Sequence, residues 1–268
     1  MDKTVVMCTP DYFGVIYRIN PWMHPDKDQV DKDLALKDWH SLIKTYTGLG
    51  IKVHTIKQDK KLPDMVYAAN FGFVLNNTFI KSNYKYDQRK AESDHAKQFF
   101  QKGGFEIYEL PDDVAFEGQG DLLKMGNSYF LGWGKRSDQR AKKFLTEALG
   151  SKIIDLELVN PYYYHLDTCF APLDENTVAI NPISFTAEGL KKIYQHFPNV
   201  ILVGKDDNNI LACNLVMVGK TVITGLGITQ KFKDDLANYG FSTIEVPMGE
   251  FRKGGGSVKC LTLEYFKE

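Results

Sequence analysis

The chain has 268 residues, 43% of them hydrophobic, and a net charge of −1. That length sustains one large core or two modest ones, and the balanced charge offers neither a basic surface for nucleic acid nor a long charged tail. No window approaches the roughly 20 apolar residues of a membrane helix, and the opening MDKTVVMCTPDY lacks the apolar stretch of a signal peptide.

Cys8, Cys169, Cys213 and Cys260 are far apart and form no CxxC pair, so they suggest neither a zinc site nor a disulfide framework. The expectation is a soluble cytoplasmic protein with no nucleic acid or membrane as partner. Homo-oligomerisation is left open.

In chain order, KTVVMC reads as a strand, followed by a helix over 29–46 and the strand IKVHTI. Four hairpins come next. MVYAANFGFVL and TFIKS turn at Asn76 and Asn77, and DLLKM and SYFLGW turn at Gly126 and Asn127. TCFAPL and TVAINP turn near Glu175 and Asn176, and LVMV and TVITG turn at Gly219 and Lys220. Asn and Gly supply the positive φ that tight hairpins require.

Each hairpin precedes a segment with helical periodicity, over 86–102, 137–149, 185–196 and 229–239. Ser137 and Thr186 read as N-caps. A third strand follows each helix: FEIYEL, SKIIDLEL, NVILV and STIEV. The unit strand–strand–helix–strand thus recurs about every 45 residues, a spacing typical of radial or stacked repeats. A fifth unit can be assembled from both ends of the chain, with VKCLTLEY pairing against KTVVMC. An ordinary α+β domain with hairpins also accommodates these elements. Four units in one order favour a ring closed by the termini, which leaves no exposed strand edge between them.

Polar residues recur just ahead of each hairpin turn. They are Asn70, then Glu117 and Asp121, then His165 and Asp167, then Cys213 and Asn214, and last Cys260. In a ring these positions converge near the axis. Burying such groups costs free energy unless they meet each other or a ligand. Taken singly, each has a plain structural reading: a cysteine in an apolar strand, a satisfied histidine, a capping aspartate. Glu117 between apolar residues and glycines is harder to explain that way. Small residues beside it, Gly118 and Gly120, make room for a ligand.

A cysteine and a histidine that meet in space make an activated nucleophile. His165 can move protons and Glu117 can orient its ring. Asp121 and Asp167 suit a planar cation through bidentate hydrogen bonds, and Arg136 suits a carboxylate. A guanidinium at one end and a carboxylate at the other describes arginine or a relative.

The motifs CTPDYFGVIYRINPWM, DMVYAANFGFV, FEGQGDLL, GWGKRSDQR, YYHLDTCFAPL and GGGSVKCLTLEY occur in that order over nearly the whole chain. With them the chain resembles the guanidino-group-modifying (amidinotransferase, or pentein) superfamily. The resemblance implies a five-bladed α/β propeller of ββαβ repeats, forming a single catalytic domain over residues 1–268, with no cofactor and no metal. It makes Cys260 the nucleophile, His165 the general acid and base, and Glu117 its acidic partner. It gives Asp167 the guanidinium and Arg136 the α-carboxylate. It offers Asn20 and Tyr12 as residues of a substrate lid. FEGQGD has one residue more than the EGGD of deiminases, which leaves the division of roles between Glu117 and Asp121 open. Gly118 and Ser257 are expected within reach of substrate, with Gly254–Gly256 letting the backbone bend beside it.

Position 70 carries an informative departure. Arginine deiminases resemble this sequence with an aspartate there, and arginine dihydrolases with an asparagine. A carboxylate only accepts hydrogen bonds, whereas an amide also donates and can hold the neutral ureido group of citrulline. The expected activity is therefore arginine dihydrolase, yielding ornithine, carbon dioxide and ammonia. Dimethylarginine dimethylaminohydrolase and arginine deiminase are the alternatives. Amidino transfer and a non-catalytic ring protein are more distant ones.

Overall fold

The computed structural model describes residues 2–267. The chain opens with β1 (Asp2–Cys8), a long helix (Lys32–Gly48) and β2 (Lys52–Ile56). Three strands follow at a time: β3 (Gly72–Leu75), β4 (Thr78–Lys81) and β5 (Glu106–Glu109), then β6 (Leu122–Met125), β7 (Ser128–Trp133) and β8 (Ile153–Glu157). Next come β9 (Phe170–Pro172), β10 (Thr177–Ile180) and β11 (Asn199–Leu202), then β12 (Val216–Val218), β13 (Thr221–Gly225) and β14 (Ser242–Val246). The last strand is β15 (Leu263–Lys267).

The described strands form five three-stranded sheets. In each, an antiparallel hairpin is followed by a helix and a strand that runs parallel to the hairpin's second strand. The same order holds for β12, β13 and β14. The fifth sheet is assembled from both ends of the chain. There β1 pairs antiparallel with β15, setting Val6 against Leu263, and parallel with β2, setting Val6 against His54. Joining the ends in one sheet completes the fifth blade.

The local signals that build a blade are short-range. Asn76, Gly126 and Gly219 take φ of 51°, 55° and 58° at three hairpin turns, a region glycine and asparagine enter at low cost. Thr186 caps the helix Ala187–His196 by accepting from the Gly189 N–H. Ser137 does not cap. The helix begins at Ala141, and the Ser137 hydroxyl instead donates to Asp121 Oδ2 at 2.6 Å. The segment expected as one helix over 86–102 breaks into a short 3₁₀ turn, Asp87–Arg89, and the helix Glu92–Lys102.

Among the described residues, five apolar clusters hold the ring, one at each junction of neighbouring blades. Phe73, Ile80, Leu122 and Leu131 join the first two, and Phe130, Phe170, Val178 and Phe197 join the next two. Ala179, Ile201, Val222 and Phe232 form the third junction; Val5, Met7, Val216 and Ile223 the fourth; and Val6, Leu263, Val74 and Phe79 close the circle. Each blade thus buries both sheet faces against neighbours. Fully burying one such Phe or Leu contributes about 1.5–3 kcal/mol.

The first strand of a blade starts later than the sequence suggested. Asn70 lies in the 3₁₀ turn Ala68–Phe71, and Asp167 in the turn Leu166–Thr168. Glu117 lies just ahead of the helical turn Gly118–Asp121, and Cys260 in a turn before β15. Strand residues alternate between faces. A tight turn can instead direct several consecutive groups to one place, which is how each blade delivers its polar residues.

Candidate active site

The turns bring Asn70, Glu117, His165, Asp167, Asn214 and Cys260 into one buried cluster. His165 Nε2 stands 2.7 Å from Glu117 Oε2. The same oxygen accepts from Arg136 Nη1 at 3.1 Å, and Glu117 Oε1 accepts from the Lys85 N–H at 3.2 Å. Burial works against a charge on Glu117, but Arg136 and His165 outweigh it and hold the carboxyl well below its ordinary range. An ionised Glu117 therefore accepts a hydrogen bond from the Nε2–H of His165. That leaves His165 Nδ1, which has no protein partner, as the nitrogen available to a substrate.

Asp121 takes a different role. Its Oδ2 accepts from the Ser137 hydroxyl and N–H, and its Oδ1 from the Leu166 N–H at 3.1 Å. Both oxygens are engaged by protein donors, so Asp121 fastens the turn beside His165 to the strand end beside Arg136. Of the two carboxylates in FEGQGD, Glu117 is the one that meets the imidazole, and Asp121 is engaged by protein donors. Gly118 also faces protein. With φ of +57°, it lies so close to Gly72 and to the Ala69 carbonyl that a Cβ would stand 2.7–2.8 Å from their backbone atoms.

Cys260 Sγ donates to Asp167 Oδ2 at 3.4 Å and accepts from Asn214 Nδ2 at 3.1 Å. Burial pushes the thiol well above its ordinary range, and the adjacent Asp167 pushes it further. Burial likewise raises Asp167 to about 7. Asp167 Oδ1 is buried without a partner. A carboxylate with one idle oxygen beside a thiol is matched to a planar cation, whose charge would favour the ionised form of both.

Asn70 donates from Nδ2 to the Glu117 carbonyl at 3.2 Å and accepts at Oδ1 from Arg89 Nη1 at 3.2 Å. Arg89 has no counterpart among the sequence candidates. It is buried, paired with Glu92 at 2.7 Å, and reaches the Asp64 carbonyl at 3.4 Å. Asp64 accepts from the Tyr17 hydroxyl at Oδ2, while its Oδ1 is buried and unpartnered. No local pattern marks YDQRK or LPDM as part of a site, because both enter it through contacts distant in sequence.

Arg136 lies between the Tyr86 and Tyr164 rings, 4.8 and 4.5 Å from their centroids, and donates from Nη2 to the Ile19 carbonyl. Asn20 donates to the Gly254 carbonyl and to the Tyr164 hydroxyl, so the loop from Thr9 to Asp31 is fastened over the cluster at Ile19 and Asn20. Tyr12 is exposed on that loop, anchored by its N–H to Gln58, with no side-chain hydrogen bond to the cluster among the described residues. Ser257 gives its N–H to Asn214 Oδ1, and its hydroxyl packs beside Gly225 without a partner.

The glycine triplet has a different cause from the one expected. A Cβ on Gly254 would overlap the Tyr67 hydroxyl, and one on Gly256 would overlap the Tyr67 ring and stand 2.9 Å from Cys260 Cβ. Gly255 adopts φ of +90° and meets Tyr164 and Asn20. The triplet makes room for protein side chains rather than for a ligand. Cys213 is also turned away from the cluster, into the core between the third and fourth blades.

A cavity of about 770 Å³ lies elsewhere along the axis. It is lined by hairpin residues such as Leu75, Asn76 and Met125, with Lys259, Gln119, Glu264 and Asp167 among its polar residues. Cys260, His165 and Glu117 are not in its lining. Among the described residues, no group of three or more His, Cys, Asp or Glu is placed to hold a metal, and no helix is long and apolar enough to cross a membrane.

Comparison with known proteins shows the family and the fold. A family model described as eukaryotic N,N dimethylarginine dimethylhydrolase matches residues 10–267. The chain belongs to the arginine dihydrolase and dimethylarginine dimethylaminohydrolase superfamily. Within it, the chain is 37% identical to the N(G),N(G)-dimethylarginine dimethylaminohydrolase of Mycobacterium tuberculosis over 98% of its own length and 85% of the relative's. It is 36% identical to the bifunctional arginine dihydrolase/ornithine cyclodeaminase ArgZ of Synechocystis, over 98% of this chain but only 37% of that protein. The N-terminal domain of ArgZ, solved as a cysteine-to-serine variant bound to substrate, superposes with a TM-score of 0.95 at 34% identity, covering 99% of both chains. The superfamily's pentein fold is the ring of ββαβ blades described above.

Proposed function

We infer that the chain, as a single catalytic unit over residues 1–268, hydrolyses the guanidino group of L-arginine through a covalent Cys260 intermediate, as an arginine dihydrolase. The observation that carries this reading is the cysteine–aspartate–histidine cluster with its idle acceptors. Cys260 Sγ touches Asp167, whose Oδ1 is unfilled, and His165 Nδ1 is unfilled beside them. A guanidinium placed there satisfies Asp167, presents its carbon to sulfur and offers a leaving nitrogen to His165. Arg89 and Arg136 are buried cations suited to a carboxylate, and Asp64 Oδ1 is an idle acceptor suited to an ammonium.

The steps follow from these positions. The cationic substrate favours ionisation of Cys260, whose proton passes to His165 Nδ1, and the thiolate forms a bond to the guanidinium carbon. His165 gives a proton to one nitrogen, which departs as ammonia and leaves an S-alkylthiouronium on Cys260. The imidazole then takes a proton from water, whose oxygen attacks the same carbon. The C–S bond breaks and citrulline is released or retained. In a second cycle the thiolate attacks the ureido carbon, a second ammonia leaves, and water cleaves the thiocarbamate. The resulting carbamate loses carbon dioxide and gives ornithine.

Asn70 supports two cycles because its amide can both donate and accept. The fit to an ArgZ domain solved with its substrate supports the same choice. A second reading, release of dimethylamine from methylated arginine, is favoured by the family match and by the M. tuberculosis relative. The reading includes a cytoplasmic setting, consistent with four free cysteines. Cys260→Ser is expected to abolish turnover of L-arginine without unfolding the protein. Retained turnover would remove Cys260 from the mechanism, and a higher kcat/KM for dimethylarginine than for arginine would favour the second reading.

A further inference from the structure

Asn214 comes from the fourth blade, which otherwise gives the cluster nothing, since Cys213 faces the core. It is completely buried, just ahead of β12. Its Oδ1 accepts from two backbone donors, Ser257 N and Cys260 N, both at 3.0 Å. Its Nδ2 donates to the Asp167 carbonyl at 3.2 Å and to Cys260 Sγ at 3.1 Å. A carboxamide has two donor hydrogens and two acceptor lone pairs, so this side chain is fully used. The assignment of its two ends is fixed as well. The backbone N–H groups of Ser257 and Cys260 can only donate, so the oxygen must face them and the NH₂ must face sulfur.

We propose that Asn214 is a positioning residue for the nucleophile: it clamps the turn that carries Cys260 and supplies the permanent hydrogen-bond donor to its sulfur. The proposal rests on Cys260 as the nucleophile. The titratable groups facing Sγ are Asp167, Tyr67 and Tyr164. Lys259, the next residue along the chain, is committed to Gln119 and Glu264. Asp167 accepts the S–H of the neutral thiol and repels the thiolate. The Asn214 donor remains in place in both states and strengthens when sulfur becomes charged. The residue also ties the third blade, through Asp167, to the turn before β15, so sulfur and carboxylate are held at one separation.

Asn214→Asp separates these functions. It keeps an oxygen toward Ser257 N and Cys260 N and turns the donor facing sulfur into an acceptor. The test follows alkylation of Cys260 by iodoacetamide across pH, with mass spectrometry of the Cys260 peptide to set aside the other three cysteines. The midpoint in Asn214→Asp is expected about one pH unit or more above wild type. The kcat on L-arginine is expected to fall about 10- to 100-fold, as for loss of a hydrogen bond to a charged group, with KM little changed. An unshifted midpoint with unchanged kcat overturns the proposal.

If Asn214→Asp shows no cooperative thermal transition, the wild-type protein gives the same test. The ¹⁵N side-chain amide resonance of Asn214 is expected to titrate with the Cys260 alkylation midpoint and to stop titrating in Cys260→Ala. A resonance that stays flat through that midpoint overturns the proposal. Both readouts report on the thiol itself, so they stand apart from turnover by Cys260→Ser, which would instead refute the nucleophile.

Discussion

His165 Nε2 lies 2.7 Å from Glu117 Oε2, and that oxygen also takes a guanidinium hydrogen from Arg136. Arg136 and His165 keep Glu117 ionised, Glu117 accepts from the Nε2–H, and Nδ1 is left without a protein partner, the nitrogen that the proposed mechanism uses. Glu117→Gln removes the charge and can offer an N–H to the imidazole, reversing the tautomer. A fall in kcat of about 10²–10⁴-fold is expected, the usual contribution of a positioned acid–base group. KM should change little. Steady-state assays with ammonia detection check this, and a change confined to KM would contradict it.

The pH dependence follows from Asp167. Burial raises its carboxyl to about 7, so it is neutral below that pH and charged above it. The neutral form cannot grip a guanidinium, so kcat/KM for arginine should fall as pH drops through 7, approaching about tenfold per unit. Glu117, held far lower, should not appear in the same range. A profile of kcat/KM between pH 5.5 and 8 reads this directly. The acid limb should vanish in Asp167→Asn, together with most of the activity.

The glycines before Cys260 are spaces filled by Tyr67, Tyr164 and Asn20. Gly256→Ala would drive a methyl into the Tyr67 ring and toward Cys260 Cβ. A loss of about 1–3 kcal/mol in unfolding free energy is expected, as for overpacked cores. Gly255→Ala adds backbone strain at φ of +90°. Urea unfolding measures both. Gly104→Ala shares a positive φ but has nothing near its added methyl. It gives the cost of strain alone, and a loss at Gly255 no larger than at Gly104 would contradict the packing argument.

Asp121 joins Ser137 to Leu166, and so sets His165 relative to Glu117. Asp121→Asn turns one acceptor into a donor facing a hydroxyl or an N–H. A stability loss of about 1–3 kcal/mol is expected, the cost of an unsatisfied buried group. KM for arginine should be nearly unchanged, because neither Asp121 oxygen is free to meet substrate. Thermal unfolding together with steady-state kinetics distinguishes this from a binding role, which would raise KM.

What could be read in the sequence was what short-range chemistry determines. The turns at Asn76, Gly126 and Gly219 announce hairpins, and their regular recurrence announces the ring. The positions of Asn70, Glu117, His165, Asp167 and Cys260 relative to those turns place them near one axis. Long-range contacts were not legible. Ser137 resembles a helix cap, and only the fold brings Asp121 to it. Gly254 and Gly256 resemble space for a ligand until Tyr67, far along the chain, fills it. Arg89 sits in an apparent helix start, and its break into a 3₁₀ turn lets the guanidinium reach Asn70.

In the proposed dihydrolase mechanism, Asn70 bears on how many ammonia molecules leave. Its Oδ1 is held by Arg89, and its Nδ2 donates one hydrogen to the Glu117 carbonyl, which leaves the other for the ureido oxygen of the proposed mechanism. Asn70→Asp keeps the contact with Arg89 and loses that donor. It should convert arginine to citrulline and stop, with ornithine falling at least about tenfold for loss of one hydrogen bond in a buried site. Equal ornithine yields from the two proteins would contradict the role of the amide.

The most direct measurement is the product balance from L-arginine and the purified wild-type protein, followed to completion by mass spectrometry and an ammonia assay. The dihydrolase account predicts ornithine equal to the arginine consumed and ammonia at twice that amount. Stoichiometric citrulline with a single equivalent of ammonia and no ornithine would contradict it.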